Sequence, residues 1–273
     1  MNRSILFALL FFFGQSSQAQ VVDSTLRRIN TLLMLQQGMS PFETYETADG
    51  TDSLEWLNVQ IQQGLMQWLN HPSFQPDEHF PLLSRFRLNR SPDGQVAAVG
   101  FYLNNGGTWQ MQYTGFYSRA GGRNRFIPDT KEYPALYDDS LSELFQPFAG
   151  GVCLLIEPVL GLPGHYVYHV QNVYCATCIS EWIGFFRLDS AGNPVPAYLL
   201  EDGSDNLRAE YRYGSEGLRF DTKKHRILLQ LYRDDLSEGW FSLAKTHKQL
   251  KASWLLREGR FMRESFRYSR KRR

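Results

Sequence analysis

The stretch VAAVGFYL, residues 96–103, places the strongest single constraint on the fold of this chain. It lies between two turn sequences, SPDG before it and NNGG after it. Asp-Gly and Asn-Gly pairs favour the tight turns of hairpins, because those turns need a positive φ. Since both alternating sets of side chains in this stretch are apolar, we expect a central strand that is covered on both faces.

Further strand-like segments separated by polar turns continue towards the C-terminal end. They include GVCLLIEPVL, HYVYHVQNVY, ISEWIGFFRL, LRFDTKKHRILLQLY and SWLLREGRF. Aromatic residues make up 14% of the chain, and aromatic side chains favour half-buried strand surfaces. We therefore predict a mainly β domain over residues 81–273, an antiparallel curled sheet or open barrel built of hairpins.

Two amphipathic segments precede the strands and define a helical N-terminal segment, residues 20–80. DSTLRRINTLLMLQQG and TDSLEWLNVQIQQGLMQWLNHP both carry apolar residues three and four positions apart, the spacing of a buried helix face. A strand that is apolar on both sides needs a cover on each face. We therefore expect this pair of helices to pack on the sheet.

The first 19 residues have the pattern of a secretory signal peptide. Arg3 precedes nine apolar residues, Ile5–Phe13, and small and polar residues lead to Ala19, after which cleavage is expected. Nine apolar residues are too few for a transmembrane helix, which needs about 20. The sequence predicts an exported protein, periplasmic or extracellular, with no transmembrane segment after cleavage.

The overall charge does not favour a nucleic-acid partner. The formal net charge is +1, and loss of Arg3 with the signal peptide would bring it to zero, so no global field attracts a polyanion. One local cluster, Arg267–Arg273, holds five positive charges. Such a cluster can bind an anionic surface, although a solvated, frayed terminus is the commoner case.

The SPDG hairpin followed by a strand that begins Gly-Gly-Thr resembles exported bacterial β-rich proteins of uncharacterised function. The SPDG hairpin is also similar, more weakly, to a β-propeller blade. Propeller repeats recur about every 40–45 residues, whereas SPDG occurs once here. The resemblance implies a fold and export, and it supplies no catalytic residue.

Two of the three cysteines, Cys175 and Cys178, stand in the sequence CATC. A thioredoxin-like centre would place a helix after this motif, but the segment that follows is strand-like. A four-ligand zinc site would need a second pair of ligands, and only one further cysteine, Cys153, is present. A four-residue turn brings its ends within disulfide reach. We predict a Cys175–Cys178 disulfide with Cys153 buried and reduced; the rival arrangement pairs Cys153 with one of the two.

The strand HYVYHVQNVY and its neighbour carry the candidate ligand-binding residues. Tyr166 and Tyr168 on one strand, with Trp182 opposite, could form an aromatic ligand-binding surface, or they could belong to the core. On a strand, His165 and His169 would lie about 13 Å apart, too far to share one ion. We therefore predict no metal site and no cofactor.

Motifs for nucleophilic catalysis, zinc hydrolysis and phosphate binding do not occur in the sequence. Loop carboxylates form three clusters: Asp138-Asp139, Glu201-Asp202 with Asp205, and Asp234-Asp235 with Glu238. The leading hypothesis is a non-enzymatic exported envelope protein that binds a ligand or a partner protein. The alternative is an envelope hydrolase that acts on glycan or peptide through such carboxylates.

Overall fold

The structure is a computed structural model that describes most of the chain between residues 24 and 269. The described residues are 24–36, 38, 53–83, 86–102, 112–129, 144–148, 150–173, 178–212, 216–232 and 249–269. In this part of the chain the helices come first and the strands follow.

A layer of helices forms one side of the molecule. Residues 24–36 are helical (α1), α2 spans Ser53–Leu69, a short helix α3 spans Pro76–His79, and a single 3-10 turn spans Phe80–Leu82. Ile29 and Leu33 of α1 and Ile61 of α2 are fully buried between the helices and the sheet beneath them. The side chain of Gln36 donates a hydrogen bond of 3.0 Å to Asn58, which joins α1 to α2.

The first sheet is an antiparallel meander of four strands in sequence order. Its strands are β1 (Arg87–Arg90), β2 (Val96–Tyr102), β3 (Gln112–Ala120) and β4 (Arg123–Ile127). On β2, Ala97, Val99 and Phe101 pack against the helices, whereas Val96 and Ala98 face the second sheet. The sequence-based expectation of a central strand covered on both faces is confirmed.

The second sheet has five strands and lies on the other face of the first. Its strands are β5 (Val152–Pro158), β6 (His165–Val173), β7 (Cys178–Leu188), β8 (Pro194–Pro196) and β9 (Asn206–Arg212). The long strand β7 pairs with β6 on one side, and with β8 and β9 at different points along the other. An aromatic core that includes Phe116, Phe148 and Phe186 fills the space between the first two sheets.

The third sheet is again a meander of four strands in sequence order. Its strands are β10 (Gly217–Asp221), β11 (Arg226–Tyr232), β12 (Gln249–Arg257) and β13 (Arg260–Ser269). Its inner face, with Phe220, Ile227 and Phe261, packs on Ile183 and Phe185 of β7. The described residues therefore form a stack of one helical layer and three sheets, and none of these elements covers the outer face of the third sheet.

Turns at the ends of the strands hold the first two sheets together. The hydroxyl of Ser118 on β3 donates to the backbone carbonyl of Gly192 at 2.6 Å. In the opposite direction, Asp93 of the SPDG turn accepts a hydrogen bond of 2.9 Å from the hydroxyl of Tyr166 on β6. Buried polar groups need such partners, so these turns fix the alignment of the two sheets.

The predicted fold class, mainly β with N-terminal helices packed on it, is confirmed. In finer detail, the hairpins do not build one continuous sheet: the described strands divide among three stacked sheets. The signal peptide predicted at residues 1–19 lies outside the described residues. Among the residues that are described, no helix has the length and apolar character needed to cross a membrane.

Candidate functional site

The two tyrosines considered as a ligand-binding surface lie in the core. Tyr166 and Tyr168 are each 3% exposed and face the first sheet from β6. Burial raises the pKa of the Tyr166 hydroxyl, and its hydrogen bond to Asp93 raises it further. These residues therefore act as core residues with satisfied or buried hydroxyls, and they offer no exposed surface to a ligand.

The third aromatic candidate, Trp182, is half-buried at the edge of the same core. Its register partner is Val170 on β6. The guanidinium carbon of Arg208 lies 5.9 Å from the centre of its ring, within the range of a cation–π contact. Trp182 is therefore covered in part by a neighbouring side chain.

The cysteines separate into two groups. Cys153 is free, lies buried on β5, and its Sγ is 3.4 Å from the carbonyl oxygen of Leu155. Burial raises the pKa of its thiol. Cys178 begins β7, but Cys175 lies outside the described residues, so the Cys175–Cys178 disulfide stays a prediction.

The loop carboxylates that motivated the hydrolase alternative lie in turns where they have local partners. Asp202 accepts hydrogen bonds from the backbone N–H and the hydroxyl of Ser204, and these contacts lower its pKa. Glu201 lies 3.5 Å from Arg263, and Asp205 accepts a hydrogen bond from Asn206. The other two clusters, at 138–139 and 234–238, lie outside the described residues.

A polar groove lies on the outer face of the third sheet. It has a volume of about 850 Å³. Its basic residues are Arg219, Arg226, Lys251 and Arg267, its acidic residues are Glu216 and Glu264, and its neutral polar residues include Gln230, Ser253 and Ser265. Four basic and two acidic side chains leave the groove with a net positive charge.

Strand pairing places these side chains in rows that run across the sheet. In one row Gly217 pairs with Gln230, Gln230 with Lys251, and Lys251 with Arg267. In the next row Arg219 pairs with Leu228, and Ser253 pairs with Ser265. The rows share one face because alternate residues of a strand point to the same side. Lys251 and Arg267 are thus like charges directly opposite each other.

Among the described residues, some of the groove residues pair with a neighbour, whereas three of the basic ones make no ion pair or side-chain hydrogen bond. Arg226 forms an ion pair of 3.0 Å with Glu264, and Gln230 donates a hydrogen bond to Glu216. By contrast, Arg219, Lys251 and Arg267 are exposed. Within the described part of the chain, none of these three makes an ion pair or a side-chain hydrogen bond.

A buried carboxylate holds the edge strand of the groove against the second sheet. Glu181 on β7 is 3% exposed, and its Oε2 accepts a hydrogen bond of 2.8 Å from the backbone N–H of Leu218 on β10. Its Oε1 accepts one of 2.7 Å from Gln171, and the hydroxyl of Tyr211 also donates to it. The Nε2 of His169 lies 3.8 Å from Oε1, close enough for an ionic contact but too long for a hydrogen bond.

These contacts decide the ionisation of Glu181. Burial raises the pKa of its carboxyl, but the interactions with His169, Tyr211 and the Leu218 N–H outweigh burial, so the net pKa is below the usual range. Glu181 is therefore ionised at neutral pH. Because Leu218 lies next to Arg219 in β10, this buried anion helps to fix the position of a groove cation.

Gly217, which begins β10, is required by the same network. Its φ is +67°, a value that favours glycine. A Cβ at this position would overlap the hydroxyl of Tyr211 and the carboxylate of Glu181. The close packing of β10 on the second sheet thus depends on a residue without a side chain.

The described residues contain no group of three His, Cys, Asp or Glu side chains that could hold a metal ion. His165 and His169 both lie in β6, as the strand assignment of this segment expected. No protein-family model, curated protein or solved structure matches the chain. The groove is therefore interpreted from its own chemistry.

Sequence reasoning singled out the basic tail that begins at Arg267 but missed the groove. The signal was present in the period of two: Arg219 stands between Leu218 and Phe220, and Lys251 between Leu250 and Ala252. Each cation therefore had to face away from the core. The sequence did not show that the strands that carry Arg219, Lys251 and Arg267 belong to one sheet.

Proposed function

We propose that this protein is an exported, non-enzymatic binding protein that holds an anionic ligand on the outer face of its third sheet. One observation carries the proposal: Arg219, Lys251 and Arg267 face the same groove, and among the described residues none of them has an ion-pair partner. Export is supported by the N-terminal pattern of Arg3, the apolar stretch Ile5–Phe13 and Ala19.

The arrangement of the cations favours a bound anion. Like charges directly opposite each other on neighbouring strands are destabilising, and Lys251 and Arg267 are such a pair. An anion between them would convert this repulsion into two attractive contacts. The four residues after Ser269 in the sequence are also basic, Arg270–Arg273, which adds to the positive charge of this end of the chain.

The hydrolase alternative has less support from the groove. The groove contains two carboxylates, and each contacts a neighbour. Glu216 accepts a hydrogen bond from Gln230, and Glu264 forms an ion pair with Arg226. A hydrolytic pair would need one carboxyl group with a raised pKa facing a second, ionised one across the ligand. The groove residues favour binding over catalysis.

The test is the affinity of the mature chain, residues 20–273, for two anionic probes and one neutral probe. Dextran sulfate and inorganic tripolyphosphate are the anions, and dextran is the neutral control. A variant with Arg219→Gln, Lys251→Gln and Arg267→Gln should bind at least one of the anions about tenfold more weakly than the wild type. A tenfold increase in Kd corresponds to a loss of about 1.4 kcal/mol of binding free energy.

A matched control removes three exposed basic residues elsewhere, Arg27, Arg123 and Arg187, each replaced by glutamine. This control changes the net charge by the same amount and should retain its affinity. Equal losses in the two variants would show that the binding follows net charge rather than the groove. Failure of the wild type to bind either anion would contradict the proposal.

A further inference from the structure

We infer that the ligand of the groove is an acidic glycan chain that lies across the strands, with neutral hydroxylated units between its acidic groups. This inference rests on the proposed anion-binding function and adds the chemical class of the ligand. It is carried by the spacing of the three unpaired cations, by the polar groups between them and by the acidic residue Glu264.

The free cations form a line rather than a point. Arg219 lies on β10, Lys251 on β12 and Arg267 on β13. At about 4.8 Å between neighbouring strands, the separation is about 10 Å from β10 to β12 and about 5 Å from β12 to β13. Arg219 lies in the next row, two residues or about 7 Å along the strand from the row of Lys251 and Arg267, so a chain that crosses the strands obliquely meets all three cations in turn. An isolated ion between Lys251 and Arg267 would leave Arg219 unused.

The size of the groove agrees with an organic ligand. Its volume of about 850 Å³ lies within the range of about 300–1,000 Å³ that is typical of sites for drug-sized molecules. A lone oxyanion would fill only a small part of that space. The groove is also concave, so it fits a chain better than it fits a flat membrane surface.

The floor between the cations offers hydrogen bonds without positive charge. The hydroxyls of Ser253 and Ser265 lie 2.8 Å apart, and Ser253 also donates to Glu264 at 3.3 Å. Hydroxyl groups of a sugar can both donate to and accept from such side chains. Among the described residues, no aromatic side chain lines the groove, so the stacking surface that single-stranded nucleic acid uses is missing there.

Glu264 gives the groove its selectivity. A continuous polyanion such as polyphosphate would place a charge beside this carboxylate, whose charge is offset in part by Arg226 at 3.0 Å, and unlike a glycan it could not replace that charge by a hydroxyl. Repulsion of the wrong ligand is a common source of specificity. A chain whose acidic groups are separated by neutral sugar units meets the cations with its acids and meets Glu264 and the serines with its hydroxyls.

Binding of labelled oligosaccharides to the mature chain, followed by fluorescence anisotropy, tests the inference. The probes are hyaluronan oligosaccharides, in which carboxylates alternate with neutral sugars, and chondroitin sulfate oligosaccharides, which add sulfate esters. Polyphosphate and a single-stranded DNA of equal total charge are the comparison ligands. We expect at least one glycan to bind about tenfold more tightly than polyphosphate, a difference of about one power of ten in Kd. The glycan that binds more tightly shows whether the groove prefers carboxylate groups alone or carboxylates together with sulfate esters.

Two variants separate selectivity from general attraction. Glu264→Gln should strengthen the binding of polyphosphate several-fold and so reduce the discrimination between the two classes of ligand. Ser265→Ala should weaken glycan binding and leave polyphosphate binding unchanged. A thermal melt of each variant shows whether it is folded, and Gln230→Ala replaces Ser265→Ala if the latter fails to fold.

The outcomes distinguish this inference from the function on which it rests. Suppose that polyphosphate or DNA binds as tightly as the glycans, and that replacing Arg219, Lys251 and Arg267 by glutamine abolishes the binding. Then the anion-binding function stands and the glycan inference is overturned. If no anion binds, both are overturned. Tight glycan binding that persists when those three cations are removed would also overturn the inference.

Discussion

Replacing Glu181 by glutamine tests how the edge strand of the groove is held in place. The carboxylate is 3% exposed and accepts hydrogen bonds from the Leu218 N–H at 2.8 Å and from Gln171 at 2.7 Å. It also accepts one from the hydroxyl of Tyr211. A glutamine keeps the size of the side chain, but one of its two terminal atoms is an amide nitrogen that cannot accept a hydrogen bond.

The expected loss of stability follows from the donors that remain. At least one buried donor is left without an acceptor, at about 1–3 kcal/mol, and the other hydrogen bonds lose their charge assistance. We expect Glu181→Gln to lower the free energy of unfolding by about 2–4 kcal/mol. For a chain of this size, that corresponds to a fall in Tm of about 4–16 °C.

Urea unfolding followed by tryptophan fluorescence measures this loss, with Glu210→Gln as the control. Glu210 lies on β9 and pairs with Arg208 at 3.1 Å at the surface, where such pairs contribute about 0–1 kcal/mol. Equal stabilities of the two variants at neutral pH would refute the role given to Glu181.

The pH dependence gives a second readout of the same network. The folded-state pKa of Glu181 is lowered, so its stabilisation is present above the unfolded pKa of about 4.3. It is lost as the pH falls through the folded value. The difference in stability between the wild type and Glu181→Gln should therefore shrink in acid below about pH 4. A difference that grows as the pH is lowered through this range would contradict the assignment.

Three further predictions follow from the packing and a fourth from the sequence. Gly217→Ala should destabilise the protein by at least about 1–2 kcal/mol, because φ is positive there; a denaturation curve that matches the wild type would contradict this. Deletion of residues 20–75 should leave the remainder insoluble, since the helix-facing side of β2 would be exposed; a soluble 76–273 fragment with a cooperative melt would show otherwise. Cys153 should react with a thiol reagent only after unfolding, since burial raises the pKa of its thiol, and peptide mapping without reductant should find Cys175 linked to Cys178.

The predictable parts of the fold are those that depend on the spacing of apolar residues within one strand or helix. VAAVGFYL had to be a doubly covered strand because both alternating sets of its side chains are apolar, and β2 is such a strand. The helical spacing of Ile29 and Leu33, and of Ile61 and Leu65, indicated faces that needed burial, and the first sheet buries them.

The way in which the sheets pack on one another could not be predicted from such local spacing. Nothing near Tyr166 in the sequence shows that the SPDG turn supplies its hydrogen-bond partner, Asp93, which is 73 residues away. An aromatic strand face can be core or ligand surface, and only the sheet stacked upon it decides. The groove lies between these cases: β10–β11 and β12–β13 are hairpins of consecutive strands, but the pairing of β11 with β12 across residues 233–248 is what joins Arg219 to Lys251 and Arg267 in one sheet.

Amide chemical-shift mapping with dextran sulfate tests the central claim most directly, because it reports where on the molecule an anion binds. We predict that the largest shifts fall on β10, β12 and β13, the strands that carry Arg219, Lys251 and Arg267, and that β2 in the first sheet is unaffected. Saturable shifts confined to the helices or the first sheet, with the third sheet unchanged, would contradict the account.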